Sequence, residues 1–161
     1  MSGPILFVAC RNMKKFEGEV PAEVWSAEKC VETGRPNPDC PSITDGMEAG
    51  ATYVFEEDNW YRVADKWWEY VDWVVKLSNL VGLDGAMPEQ NSNVAFRDIF
   101  RYGNHAGTYG PVACKKLAVD FFLWDDLARA FDDRHFYKMF RLMRNMFEFG
   151  AEGGACWLRS C

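Results

Sequence analysis

An α+β fold, mainly helical, with four to five helices packed on a small sheet that pairs the two ends of the chain, is what this sequence predicts. Two observations carry that expectation. Short apolar runs rich in strand formers lie at 5–9 and 155–158, and between them three long stretches repeat apolar residues at spacings of three and four. Composition supplies the third. Apolar residues make up 48% of 161 residues and aromatics 16%, with seven Trp and twelve Phe, enough to build one core without disulfide or metal staples. One domain spanning 1–161 is expected.

Taken in order, the run at 5–9 reads as a buried strand ended by Arg11 and Asn12. From about 17 to 50 the density of Pro and Gly excludes long regular elements, leaving an irregular loop with at most one helical turn near 22–30. A loop that long inside a domain is a candidate contact surface. Residues 52–55 read as a short strand. Asp58 or Asn59 is placed to cap a helix running to about Leu80, with Trp60, Val63, Trp67, Val71, Val74 and Leu77 on one apolar face. Tyr61, Trp68, Tyr70 and Trp73 widen that face and are the candidate partner-contact residues.

A short helix is expected at 94–102, with Phe96, Ile99 and Phe100 inward. The loop 103–110 follows, and Pro111, at a first helical position, opens a helix with Ala113, Leu117, Phe121, Trp124, Ala128 and Phe131 on one side. After Asp132 and Asp133, a last helix runs from about 134 to 149 with Phe136, Met139, Phe140, Met143 and Phe147 inward and Gly150 as its C-terminal cap. The strand at 155–158 is expected to pair with the first strand, because the ends of domains are often neighbours.

A formal charge of −6, with the acidic residues scattered in short pairs, disfavours direct nucleic-acid binding, although Arg134, Lys138, Arg141 and Arg144 form a local basic patch. The first apolar run is too short for a signal peptide or a membrane span, so a cytoplasmic setting with reduced thiols is expected. Of the six Cys, Cys30 and Cys40 bracket a polar loop and are the first pair to test for a bridge, which the sequence leaves open. No metal site or cofactor is expected, since His105, His135 and the Cys residues show no ligand spacing.

The loop before Pro111 is the candidate ligand site. Asn104, His105, Gly107, Thr108 and Gly110 would present side-chain donors and backbone N–H groups at a helix start to a small anionic ligand. The plainer reading is a tight turn between helices. His105 and Asp120 are the candidate catalytic pair, Asp120 as a general acid or base; its plainer role is an ion pair with Lys116 one turn away. Cys114, near the same helix start, reads as packing. Asp125 and Asp126 read as a solvated face.

The segments Tyr109-Gly110-Pro111, Lys116-Leu117-Ala118 and Asp120-Phe121, with Phe147-Glu148, Ala151 and Gly153-Gly154-Ala155 after them, resemble an uncharacterised family of small bacterial and phage proteins. The resemblance covers about a third of the chain, from roughly residue 100 onward. In that family an Asp-Cys-Glu-Gly sequence precedes the Gly-Pro step. Here Asn104, His105 and Ala106 precede Gly107, so both acidic groups are missing. The resemblance implies a phage or mobile-element protein inhibiting a host enzyme or defence system, and the missing carboxylates favour binding over catalysis. Three functions are thus expected in turn: a small intracellular protein that binds another protein or a small anionic ligand, a small-molecule hydrolase or transferase working at 104–110, and an assembly subunit whose homo-oligomer buries Trp68 and Trp73.

Overall fold

In the first strand every residue from Phe7 to Cys10 is apolar, a pattern that fits a strand covered on both faces. A computed structural model describes residues 3–35, 38, 40–102 and 107–159 and bears this out. Strand β1 (Ile5–Arg11) sits inside an antiparallel sheet whose other members are β5 (Glu57–Ala64), β7 (Ala155–Arg159) and β6 (Thr108–Tyr109), in the order β5-β1-β7-β6. Val8 faces Trp60 on one side and Trp157 on the other. The two ends of the chain are therefore paired, as expected.

On one face of this sheet, Ile5, Phe7 and Ala9 join the main core with α2 (Trp67–Leu80), α4 (Pro111–Leu123) and α6 (Arg134–Gly150). On the other face, Cys10 and Ala155 pack with Val31, Tyr53 and Phe55 in a smaller core. That second core belongs to a three-stranded sheet, ordered β2 (Lys14–Phe16), β4 (Thr52–Val54) and β3 (Cys30–Glu32). Only β4 was legible beforehand. The described part of 17–50 is otherwise irregular, holding a five-residue α1 (Ala22–Ser26) and a 3-10 turn at Pro41–Thr44.

The helix expected from Asp58 begins only at Trp67. Residues 57–64 form β5 instead, because β1 has an edge to satisfy and pairs with it along its whole length, from Ile5 with Ala64 to Arg11 with Glu57. Asp58 caps nothing; it accepts from Lys29 Nζ and, at 3.2 Å, from Trp60 Nε1. Trp60 is exposed, with the Arg159 guanidinium 4.4 Å from its ring centroid. Within α2 the buried stripe is Tyr70, Trp73 and Leu77, while Trp67 and Val74 flank it.

Helix α3 (Arg97–Tyr102) starts later than expected, after Phe96, whose φ of +61° is left-handed and strained for an aromatic residue. The long helix expected after Pro111 is interrupted at Trp124 and resumes as α5 (Asp125–Ala130). Helix α6 begins where Asp133 caps it, its carboxylate accepting from the Phe136 N–H at 3.0 Å. Gly150 is the last residue of α6 rather than a cap beyond it. A Cβ there would lie 2.6 Å from Cys156 Sγ and 3.1 Å from Cys114 Sγ, so glycine lets the helix end press onto β7 and α4.

Candidate functional site

At the start of α4 the chain supplies backbone N–H groups that no helical carbonyl can use, the usual basis of an anion site. Here two of them are spent within the protein. The Gly110 N–H donates to the Ile43 carbonyl at 2.8 Å and the Val112 N–H to that of Asp45 at 3.3 Å. Gly110 is buried because the 3-10 turn lies against it, and a Cβ would meet Asp45 O at 2.8 Å. Gly110 thus serves packing, a correction to its expected ligand role. Asn104 and His105 lie outside the described residues. Gly107 and Thr108 line an open cleft of about 540 Å³ with Glu32, Arg35 and Trp157, and Thr108 pairs with Trp157 in the sheet.

Asp120 is buried with its Oδ2 fully engaged. It accepts from the Phe96 N–H at 3.0 Å and from Lys116 Nζ at 2.6 Å. The carboxylate holds the strained turn into α3, which supports the plainer of its two expected roles. Cys114 is buried 3.7 Å from Cys156, sulfur to sulfur. Cys30 and Cys40 are both free thiols: Cys40 is buried beside Asp98, and burial pushes its thiol up to about 11. Among the described residues no cluster of three or more His, Cys, Asp or Glu could hold a metal ion, and no helix is long and apolar enough to cross a membrane.

The aromatic residues expected to meet a partner divide sharply. Trp73 and Tyr70 are 2% and 0% exposed, which corrects their assignment to a contact surface. Trp73 stacks on Phe136 and donates its Nε1–H to the Phe136 carbonyl at 3.2 Å, and Tyr70 packs between Phe7, Trp67 and Trp73. Burial of the Tyr70 ring drives its hydroxyl well above the usual tyrosine range. Tyr61 is half-buried. Only Trp68, at 69% exposed, stands clear, on the wall of an open groove of about 700 Å³ between α2 and α6. Val63, Trp73, Phe136, Met139 and Leu142 give that groove an apolar lining; Glu69 and Asp72 lie on one wall, His135 and Lys138 on the other.

The chain matches no protein-family model, no curated protein and no solved structure.

A second surface lies on α4 and α5, and the sequence reading passed over it. Val119, Phe122, Leu123 and Leu127 follow one another at helical spacing on the outer side, and the last three are 64%, 66% and 56% exposed. The signal was present: 111–128 carries apolar residues all round, more than one core-facing stripe requires. Beside the strip runs a seam of charge. Asp125, expected on a solvated face, is buried, and Tyr137 with three arginines surrounds it. Arg129 lies 2.9 Å away, Arg144 3.1 Å and Arg141 3.6 Å, with the Tyr137 hydroxyl donating at 3.1 Å. Burial alone would raise the Asp125 carboxyl, but these partners outweigh it and hold it below the usual carboxylate range. Arg144 also pairs with Glu148 and sits 5.3 Å from the Phe122 ring centroid. The basic patch expected on this helix is thus partly committed to internal pairs.

Proposed function

We propose that this chain is a non-catalytic protein-binding module that docks a partner through the outer face of α4 and α5. One observation carries the reading: Phe122, Leu123 and Leu127 form a contiguous apolar strip left in water by a domain that buries its other Phe residues far better. Leaving such side chains exposed forgoes about 1.5–3 kcal/mol each, so a patch of them marks an interaction site. The arginines beside Phe122 and Tyr137 also fit the enrichment of arginine and aromatic residues at interfaces. The engagement of Asp120 by Phe96 and Lys116 weighs against the hydrolase or transferase alternative.

The test compares capture by the wild-type chain with capture by L123E/L127E, whose changes lie on the surface and whose fold is checked by circular dichroism. Partners retained by the wild type should be lost from the variant. Identical captured sets would rule the face out as the docking surface.

A second reading has its own observation, the groove beside Trp68, lined by apolar and charged side chains, whose volume suits a small molecule. Native mass spectrometry would show retained non-covalent mass, lost on Trp68→Ala. A bare native mass would count against it.

A further inference from the structure

We infer that the occupant of the α4–α5 face is an acidic amphipathic helix of a partner protein, its apolar side on Phe122, Leu123 and Leu127 and its carboxylates on Lys115, Arg129 and Arg141. The inference rests on the docking reading above and adds the chemistry of the partner. Charge is the first argument. In a chain of net charge −6, the 111–150 segment holds seven Lys or Arg against six Asp or Glu. Two of those six, Asp120 and Asp125, are buried beneath the face, and Glu148 is paired with Arg144. Lys115 is exposed with no ion-pair partner among the described residues, and the side chains of Arg129 and Arg141 are 63% and 45% exposed while sharing one carboxylate. Asp126 alone adds exposed acid within the strip. Exposed charge beside the strip is therefore mainly basic, Lys115, Arg129 and Arg141 against Asp126, and the face favours carboxylates.

Backbone chemistry is the second argument. The face is built from helices whose N–H and C=O groups are already paired, so it offers no edge for a strand to join. A segment pressed against it has to satisfy its own backbone, which a helix does. From Val119 to Leu127 the strip spans about 12 Å, or two turns of a partner helix. Charge also argues against a second copy of this chain, because a two-fold contact would set this basic-edged face against itself.

The probe is a dye-labelled synthetic amphipathic peptide of about 20 residues, with a leucine stripe flanked by glutamates, beside the same peptide with lysine in place of every glutamate. Fluorescence anisotropy should show the glutamate peptide binding roughly tenfold more tightly, the preference shrinking as salt rises. It should lose binding to L123S/L127S and lose its charge preference with K115E/R141E. Equal binding of the two peptides would overturn the inference while leaving apolar docking intact. Failure of the glutamate peptide to bind the wild type, or binding that ignores L123S/L127S, would also overturn it. Self-association of the wild type abolished by L123S/L127S would do the same, because the occupant would then be a second copy.

Discussion

Gly150, Asp120 and Asp125 show how single residues acquire roles that their neighbours in sequence do not reveal. Gly150 follows a helical pattern and reads as a cap, yet its missing side chain is required by two sulfurs arriving from elsewhere, Cys114 and Cys156. Gly150→Ala should therefore cost about 1–3 kcal/mol through overpacking, despite alanine's better helix propensity. Chemical denaturation would measure it, and an unchanged or raised midpoint would contradict the packing argument. For Asp120 the ion pair with Lys116 was legible from their spacing of four. The bond to Phe96 was not, because it joins positions 24 apart.

Elements were most readable where one periodicity had one explanation. Helix α6 has a single apolar face, and four of the five residues expected inward, Phe136, Phe140, Met143 and Phe147, are buried, while Met139 is half-buried and Met146 turns inward. In 58–80 two periodicities competed, and β1 decided the matter by demanding a strand partner over 57–64. The break between α4 and α5 was equally hidden, since Trp124 and Asp125 are compatible with a continuing helix. Asp125 instead turns inward to the arginines, and this sets a pH dependence. Its carboxyl is lower in the folded state than its ordinary value of 3.8, so the stabilisation is present above that value and is lost as pH falls through the lowered folded value. Asp125→Asn should destabilise the protein by about 1.5–3 kcal/mol at neutral pH. The gap from wild type should narrow as acid protonates the native carboxylate, read from denaturation midpoints between pH 7 and 2. A gap independent of pH would show that the charge of Asp125 does not matter.

Across the whole molecule, the ends of the chain hold the sheet together: β7 lies between β1 and β6 and shares both cores with β1. Deleting residues 155–161 should abolish cooperative unfolding and near-ultraviolet circular dichroism, because β1 would lose one of its two partners and both cores a wall. A truncated chain that still unfolds cooperatively would show β7 to be dispensable. By itself the sequence determined the α+β class, the pairing of its terminal strands, the last helix and the closeness of Lys116 to Asp120, all of which follow from local periodicity, turn chemistry and apolar patterning. Tertiary structure alone decided that 57–64 is a strand, that a second sheet covers Cys10, that Trp73 turns inward while Trp68 and Phe122 stay in water, and that the N–H groups of Gly110 and Val112 are already taken. Those outcomes depend on which surfaces meet across long separations, and an aromatic residue has the same local pattern whether a neighbour covers it or water does.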